Sequence, residues 1–258
     1  MAPLFHYNFD KPGPGIHPDL PRKTGYPRFE ELLLQNGGSF FKAGLLSAIS
    51  FLPFYMGLVT AIATHQFPLM LIAGIVGGCI AGPQITGLAD TILRAQRDEP
   101  GIWWLSYKAA WKKNWKASLV PGALTGFLTA SFVFTLTHLN FDALSLPVLI
   151  GFVFSALLCL AVFTYVYPQI ALFDMPFSLT LKNALLLTLR HLRKTLCAAL
   201  LQTIYWGLFL AYYPISQVFL PLTGLWFPMF MGLSVVYTHM EEEFDLEALL
   251  KKHQEEAQ

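Results

Sequence analysis

Long apolar runs broken by short polar stretches dominate this chain. Six of them cover residues 41–64, 68–93, 117–139, 146–173, 195–212 and 215–239. About 20 mostly apolar residues cross a hydrocarbon core ~30 Å thick as a helix. The runs lack the polar–apolar alternation of barrel strands, so the pattern predicts helices. The expected fold is all-α: an integral membrane bundle of six transmembrane helices in three antiparallel hairpins. Amphipathic interfacial helices are expected on its inner face. The chain divides into a cytoplasmic tail (1–38), a six-helix domain (39–240) and a cytoplasmic amphipathic C-terminal helix (241–258).

Charge sets the orientation. Three connections, at 65–67, 140–145 and 213–214, carry no Lys or Arg. The 17 basic residues fall on the other side, before span one, between spans two and three, between spans four and five, and after span six. The positive-inside rule then places both termini in the cytoplasm, in a bacterial cytoplasmic membrane. Hydrophobic residues are 55% of the chain and charged residues 13%, where a soluble domain is about a quarter charged. The net charge of +1 conceals the asymmetry and says nothing about partners. The start of the chain lacks the apolar stretch and small-residue site of a cleaved signal peptide.

Span two carries two rows of small residues. Gly74, Gly78 and Gly82 recur every fourth position, with Ala73, Gly77 and Ala81 beside them. Such rows let helix backbones approach closely in lipid, here within the bundle in preference to a dimer interface. After span two, Trp104, Tyr107, Trp111 and Trp115 fall at i, i+3, i+7 and i+11, with Lys108, Lys112 and Lys113 mostly elsewhere around the helix. Aromatics beside lysines fit a helix lying in the membrane interface and touching lipid. Residues 177–191 form a weaker version. The two segments belong to an internal repeat, since Pro83-Gln84-Ile85 in span two matches Pro168-Gln169-Ile170 in span four. An acidic residue follows each, Asp90 and Asp174. Both spans run the same way, so the repeat is parallel.

Polar groups inside a membrane are where function is sought first. Here they are Pro83, Gln84, Asp90, Pro168, Gln169 and Asp174. Asp90 stands four residues before Arg94, the spacing of a helical ion pair. The glutamines can bond across helices or satisfy carbonyls freed by the prolines. No span carries an acid at its centre, which argues against a proton- or sodium-coupled carrier. His6, His17, Asp10 and Asp19, and His239 with Glu241, Glu242 and Glu243, match no metal-site spacing. Cys79, Cys159 and Cys197 are packing residues inside spans. No Walker A loop, HExxH, G-x-S-x-G or dinucleotide turn is present, so no catalytic residue, metal or cofactor is expected. The basic residues lack a nucleic-acid-binding fold around them, and lipid headgroups are the phosphates they suit.

The stretch from Gly82-Pro83-Gln84-Ile85 to Asp90-Thr91-Ile92-Leu93-Arg94, followed by Trp111-Lys112-Lys113-Asn114-Trp115-Lys116, resembles the YesL-like family of bacterial membrane proteins. So does Tyr167-Pro168-Gln169-Ile170-Ala171-Leu172-Phe173-Asp174 followed by Leu181-Lys182-Asn183-Ala184. The Lys-Pro-Gly-Pro-Gly opening is similar to its clostridial branch. Gln84 departs from the family pattern, which more often has a small residue after the Gly-Pro pair. The family is a domain of unknown function whose members often lie beside carbohydrate uptake genes. The resemblance implies a transport-associated accessory role. The expected function is therefore a non-enzymatic accessory or scaffold protein. Its partners would be membrane lipids and another membrane protein or transporter subunit. A homo-oligomer is not indicated. Two alternatives are a small transporter or channel lined by the Pro-Gln segments and a lipid-interacting protein acting through its Trp/Lys helix.

Overall fold

The computed structural model describes residues 22–99, 101–138 and 145–246. Within them the chain is helical, with no strand. The helices are α1 (Tyr26–Ser50), α2 (Leu52–Ala63), α3 (Phe67–Gln96), α4 (Trp103–Asn114), α5 (Leu119–His138), α6 (Leu146–Leu172), α7 (Phe177–Arg190), α8 (Leu192–Ala211), α9 (Leu220–Thr223) and α10 (Trp226–Phe244). A 3-10 turn, Ile215–Phe219, leads into α9. The metal-spacing candidates His6, Asp10, His17 and Asp19, most of the tail and the C-terminal stretch from residue 247 lie outside the described residues.

Local chemistry sets the boundaries. Five helices (α1, α2, α3, α6 and α9) carry proline at the first or second position, where the missing N–H costs nothing. Three helices close with a left-handed non-glycine residue, α10 among them at Asp245 (φ 46°). At the end of α2, His65 (φ 53°) donates to the Ile62 carbonyl and Gln66 to Ala61. At the end of α3, Asp98 (φ 56°) donates to Ala95 and Glu99 to Arg94. Each pair of bonds satisfies carbonyls that the helix end would leave open.

Four helices, α3, α5, α6 and α8, are long and apolar enough to cross a membrane. Two bent pairs raise the number to six if each is one span: α1 with α2 (42°), and the segment Ile215–Thr223 with α10 (56°). Sequence pattern places the first span at residue 41, but the helix begins at Tyr26 and runs unbroken through the expected amphipathic lead-in. Its break falls at Phe51, just before Pro53. The sixth run is likewise interrupted, between α9 and α10, at Gly224 and Leu225.

α3 is the centre of the bundle and touches α1, α2, α4, α5, α6 and α10. It pairs most closely with α5. The glycine row of α3 meets Gly122 and Gly126 of α5 backbone to backbone; a Cβ on Gly74 would lie 2.6 Å from the Gly126 carbonyl oxygen. The tightest pair is therefore α3 with α5, which follow one another across the basic end. The sequence expectation paired spans three and four as a hairpin, but α5 and α6 touch only lightly. The glycines draw α5 onto α3. The opposite end of α6 is exposed on most sides from Leu146 to Leu158.

The main core lies toward the basic end, where Leu32, Phe40, Leu88, Ile92, Tyr165, Phe230 and Leu233 are buried together. Phe29 stacks on Phe230 with centroids 4.7 Å apart, and Phe40 packs at 4.9 Å from the same ring. Gly44 makes room for Trp226 beside the break in the last span. A smaller cluster of Phe54, Leu58, Ala61, Met70 and Ala130 joins α2, α3 and α5 at the far end.

Candidate functional site at the basic end of the bundle

Pro83 and Pro168 lie inside α3 and α6, and both helices continue through them. The two glutamines that follow differ. Gln84 is half-buried; its Oε1 accepts a hydrogen bond from the Tyr107 hydroxyl of α4 at 3.1 Å. The backbone carbonyl of Gln84 accepts from Ser47 of α1 at 3.2 Å. Gln169 is fully buried. Its Nε2 donates to the Tyr165 carbonyl at 3.1 Å, and its Oε1 has no partner. Pro168 lacks the N–H that would serve Thr164. Gln169 thus bonds the carbonyl next to the freed one. Both prolines are buried.

α4 packs on α3 and, more lightly, on α6. Trp103 at its start lies under Lys42 of α1, with Nζ 5.6 Å from the ring. Just past its end, Ser118 bonds the Asn114 carbonyl (2.8 Å) and meets Thr86 of α3 at 2.7 Å. Tyr107, Ala110 and Asn114 form the buried stripe. Tyr107 fits because Gly87 opposes it, where a Cβ would sit 2.8 Å from ring carbon Cε2. Burial pushes the Tyr107 phenol well above its ordinary pKa, so the hydroxyl stays a donor to Gln84. Trp104, Trp111 and Trp115 remain exposed, as do Lys108, Lys112 and Lys113. The sequence stripe grouped Tyr107 with the three tryptophans; the structure turns it inward by a fraction of a turn.

The second half repeats this plan. α6 is followed by the amphipathic α7 and then α8. Thr195, near the start of α8, bonds the His191 carbonyl at 3.0 Å and meets the Tyr165 hydroxyl of α6 at 2.8 Å. In both halves a hydroxyl bonds the carbonyl four residues earlier and reaches back to the first span. The registers differ, since Thr86 follows its Pro-Gln pair and Tyr165 precedes its own. Tyr167 meets Thr125 of α5 at 2.8 Å, linking the halves.

Around this lies an ionic network. Arg94 donates to Asp90 at 2.7 Å and to Glu99 at 2.8 Å, while Arg97 reaches Glu99 at 2.7 Å. Asp90 is buried. Asp98, held in its left-handed turn, accepts from Arg28 at 2.8 Å and Arg22 at 3.2 Å. Arg22 also reaches Glu241 of α10 at 3.4 Å. Glu243 is shared by Arg190 (2.7 Å) and His191 (3.2 Å), and the His191 ring stacks on His239 at 4.4 Å. Asp174 is exposed in the link between α6 and α7 and stands apart from this network.

Sequence reasoning paired Asp90 with Arg94 but missed the long-range contacts of Arg22, Arg28, Glu241 and Glu243. The only signal was the placement of acids at 98–99 and 241–243 on the same side as the basic residues. Among the described residues no three His, Cys, Asp or Glu side chains converge where a metal ion could sit. Comparisons of the chain with family models, curated proteins and solved structures gave no match, so the resemblance to the YesL-like family rests on its motif residues alone.

Proposed function

We propose that the chain is a six-span integral protein of the bacterial cytoplasmic membrane, with both termini inside, acting as a non-enzymatic accessory or scaffold. It would hold a partner membrane protein, such as a transporter subunit of a sugar uptake system. The observation that carries this reading is the packing at the basic end. Gln84 and Gln169, the residues that a transport path would need, are engaged by Tyr107 and by the Tyr165 backbone within a close-packed core. A channel lined by the Pro-Gln segments is the rival. The glycine contacts of α3 and α5 support a rigid frame, and the exposed faces of α4 and α7 leave surface for contact outside the bundle.

The test is recovery from native membranes in mild detergent, at native expression, with identification of what co-purifies. A consistent membrane-protein partner supports the scaffold. Repeated recovery of the chain alone, together with solute flux in reconstituted vesicles that Gln84→Leu abolishes, would replace it with the transporter.

A further inference from the structure

The charged groups at the basic end divide unevenly. Each of Glu31, Asp90, Asp98, Glu99, Glu241 and Glu243 is engaged by an arginine. The lysines of α4 and of the turn after it are left over. Among the described residues no carboxylate pairs with Lys108, Lys112, Lys113 or Lys116, and all four are exposed. Lys116 instead lies over the Trp115 ring at 5.5 Å. The surface thus presents cations that nothing in the described fold neutralises.

Their arrangement is directional. At about 100° per residue, the buried stripe of α4 centres near Asn114. Trp104, Trp111 and Trp115 fall roughly a quarter-turn to one side, and Lys113 roughly a quarter-turn to the other. Lys108 and Lys112 point away from the bundle. In the membrane setting proposed above, with α4 at the flank of the bundle, the indole edge would face hydrocarbon and the opposite edge, with Lys113, would face water. Lys108 and Lys112 sit between, at headgroup depth. Indoles carry an apolar body and one N–H donor, and lysine stems reach along apolar surface to a charged tip.

We infer that the corner formed by α4 and the start of α5 is a seat for anionic phospholipid headgroups of the inner leaflet, held by Lys108, Lys112, Lys113 and Lys116 above the three tryptophans. The inference rests on the membrane setting proposed above. Charge complementarity selects the occupant: a phosphodiester with no countercharge suits lysines that lack carboxylate partners, whereas a choline headgroup brings its own cation.

The full chain, with Trp206→Phe to remove the half-buried reporter on α8, is reconstituted in phosphatidylcholine vesicles containing phosphatidylglycerol. Bromine is placed on the acyl chains of one lipid or the other, and tryptophan quenching is measured. Brominated phosphatidylglycerol is expected to quench more strongly at equal mole fraction, with a preference of about fivefold, the effect of one lysine at an anionic surface. Lys112→Gln/Lys113→Gln/Lys116→Gln should bring the preference to about one. Arg193→Gln/Lys194→Gln, on the distant α7–α8 corner, should leave it unchanged. Equal quenching by both lipids in the unaltered lysine background overturns the seat while the membrane setting stands. Equal loss in both charge variants also overturns it, because net charge would then be the cause. Quenching by neither lipid means that the helix is not at the membrane, and the setting itself fails. A lysine variant that keeps its lipid preference but loses an acidic protein partner would reassign the surface to that partner.

Discussion

The Gly122 carbonyl oxygen of α5 occupies the space where a side chain on Gly78 of α3 would stand. Gly82 faces Ser118 and Gly122 in the same way, and Gly74 faces Gly126 and Ala130. The obstruction is backbone, which cannot swing aside as a side chain can. Overpacking costs roughly 1–3 kcal/mol and occasionally more. Gly78→Leu should therefore lower thermal stability in detergent by at least the upper part of that range. Gly207→Ala on α8 is the contrast, since nothing lies within 4 Å of an added Cβ there. It should hold or slightly raise stability, as alanine favours helix by up to about 1 kcal/mol. Equal melting of the two variants would remove the α3–α5 contact from its central place.

Tyr107 separates what was legible in the sequence from what was not. The spans, the glycine row and the existence of α4 follow from hydropathy and spacing, which are local quantities. The inward turn of Tyr107 depends on Gly87 and Gln84, twenty and more residues away, and periodicity alone could not tell it from Trp104 or Trp111. The breaks at Phe51 and Gly224 were hidden for a related reason, because apolar residues continue across both. Arg28 with Asp98, and Arg190 with Glu243, are partners brought together only by the fold.

Tyr107→Phe keeps the ring and removes the donor to Gln84. Interhelical bonds in membrane proteins average about 0.6 kcal/mol, with larger values where an acceptor is left stranded. A loss of about 1 kcal/mol is expected, read by thermal or denaturant unfolding in detergent. Trp104→Phe, on the exposed flank, should change it by less than half as much. The opposite ranking would mean that the Gln84 contact is incidental.

The ion pair of Arg22 with Glu241 puts the segment just before α1 and the end of α10 on one side of the bundle. In cells, with Cys79, Cys159 and Cys197 replaced by serine, Thr24→Cys and Gln66→Cys should label oppositely. A membrane-impermeant maleimide added to intact cells is expected to reach Gln66→Cys alone, and Thr24→Cys after permeabilisation. Labelling of Thr24→Cys in intact cells would invert the proposed orientation.

The break in the last span offers the sharpest test of how this bundle tolerates irregular backbone. Between α9 and α10 the carbonyl of Gly224 belongs to neither helix. The Tyr205 hydroxyl of α8 donates to it at 3.2 Å and contacts the Thr223 hydroxyl at 2.9 Å. Pro228, in the first turn of α10, removes an N–H that the helix start would leave open anyway. The carbonyl therefore depends on Tyr205. In lipid no water replaces a lost donor, and a bare backbone group costs more than the average bond. Tyr205→Phe should lower stability by about 1–2 kcal/mol. Thr223→Val should cost less, since it leaves the bond to Gly224 in place. A Tyr205→Phe variant with unchanged melting would show that the break is solvated, and that this part of the chain lies at the membrane surface instead of within it.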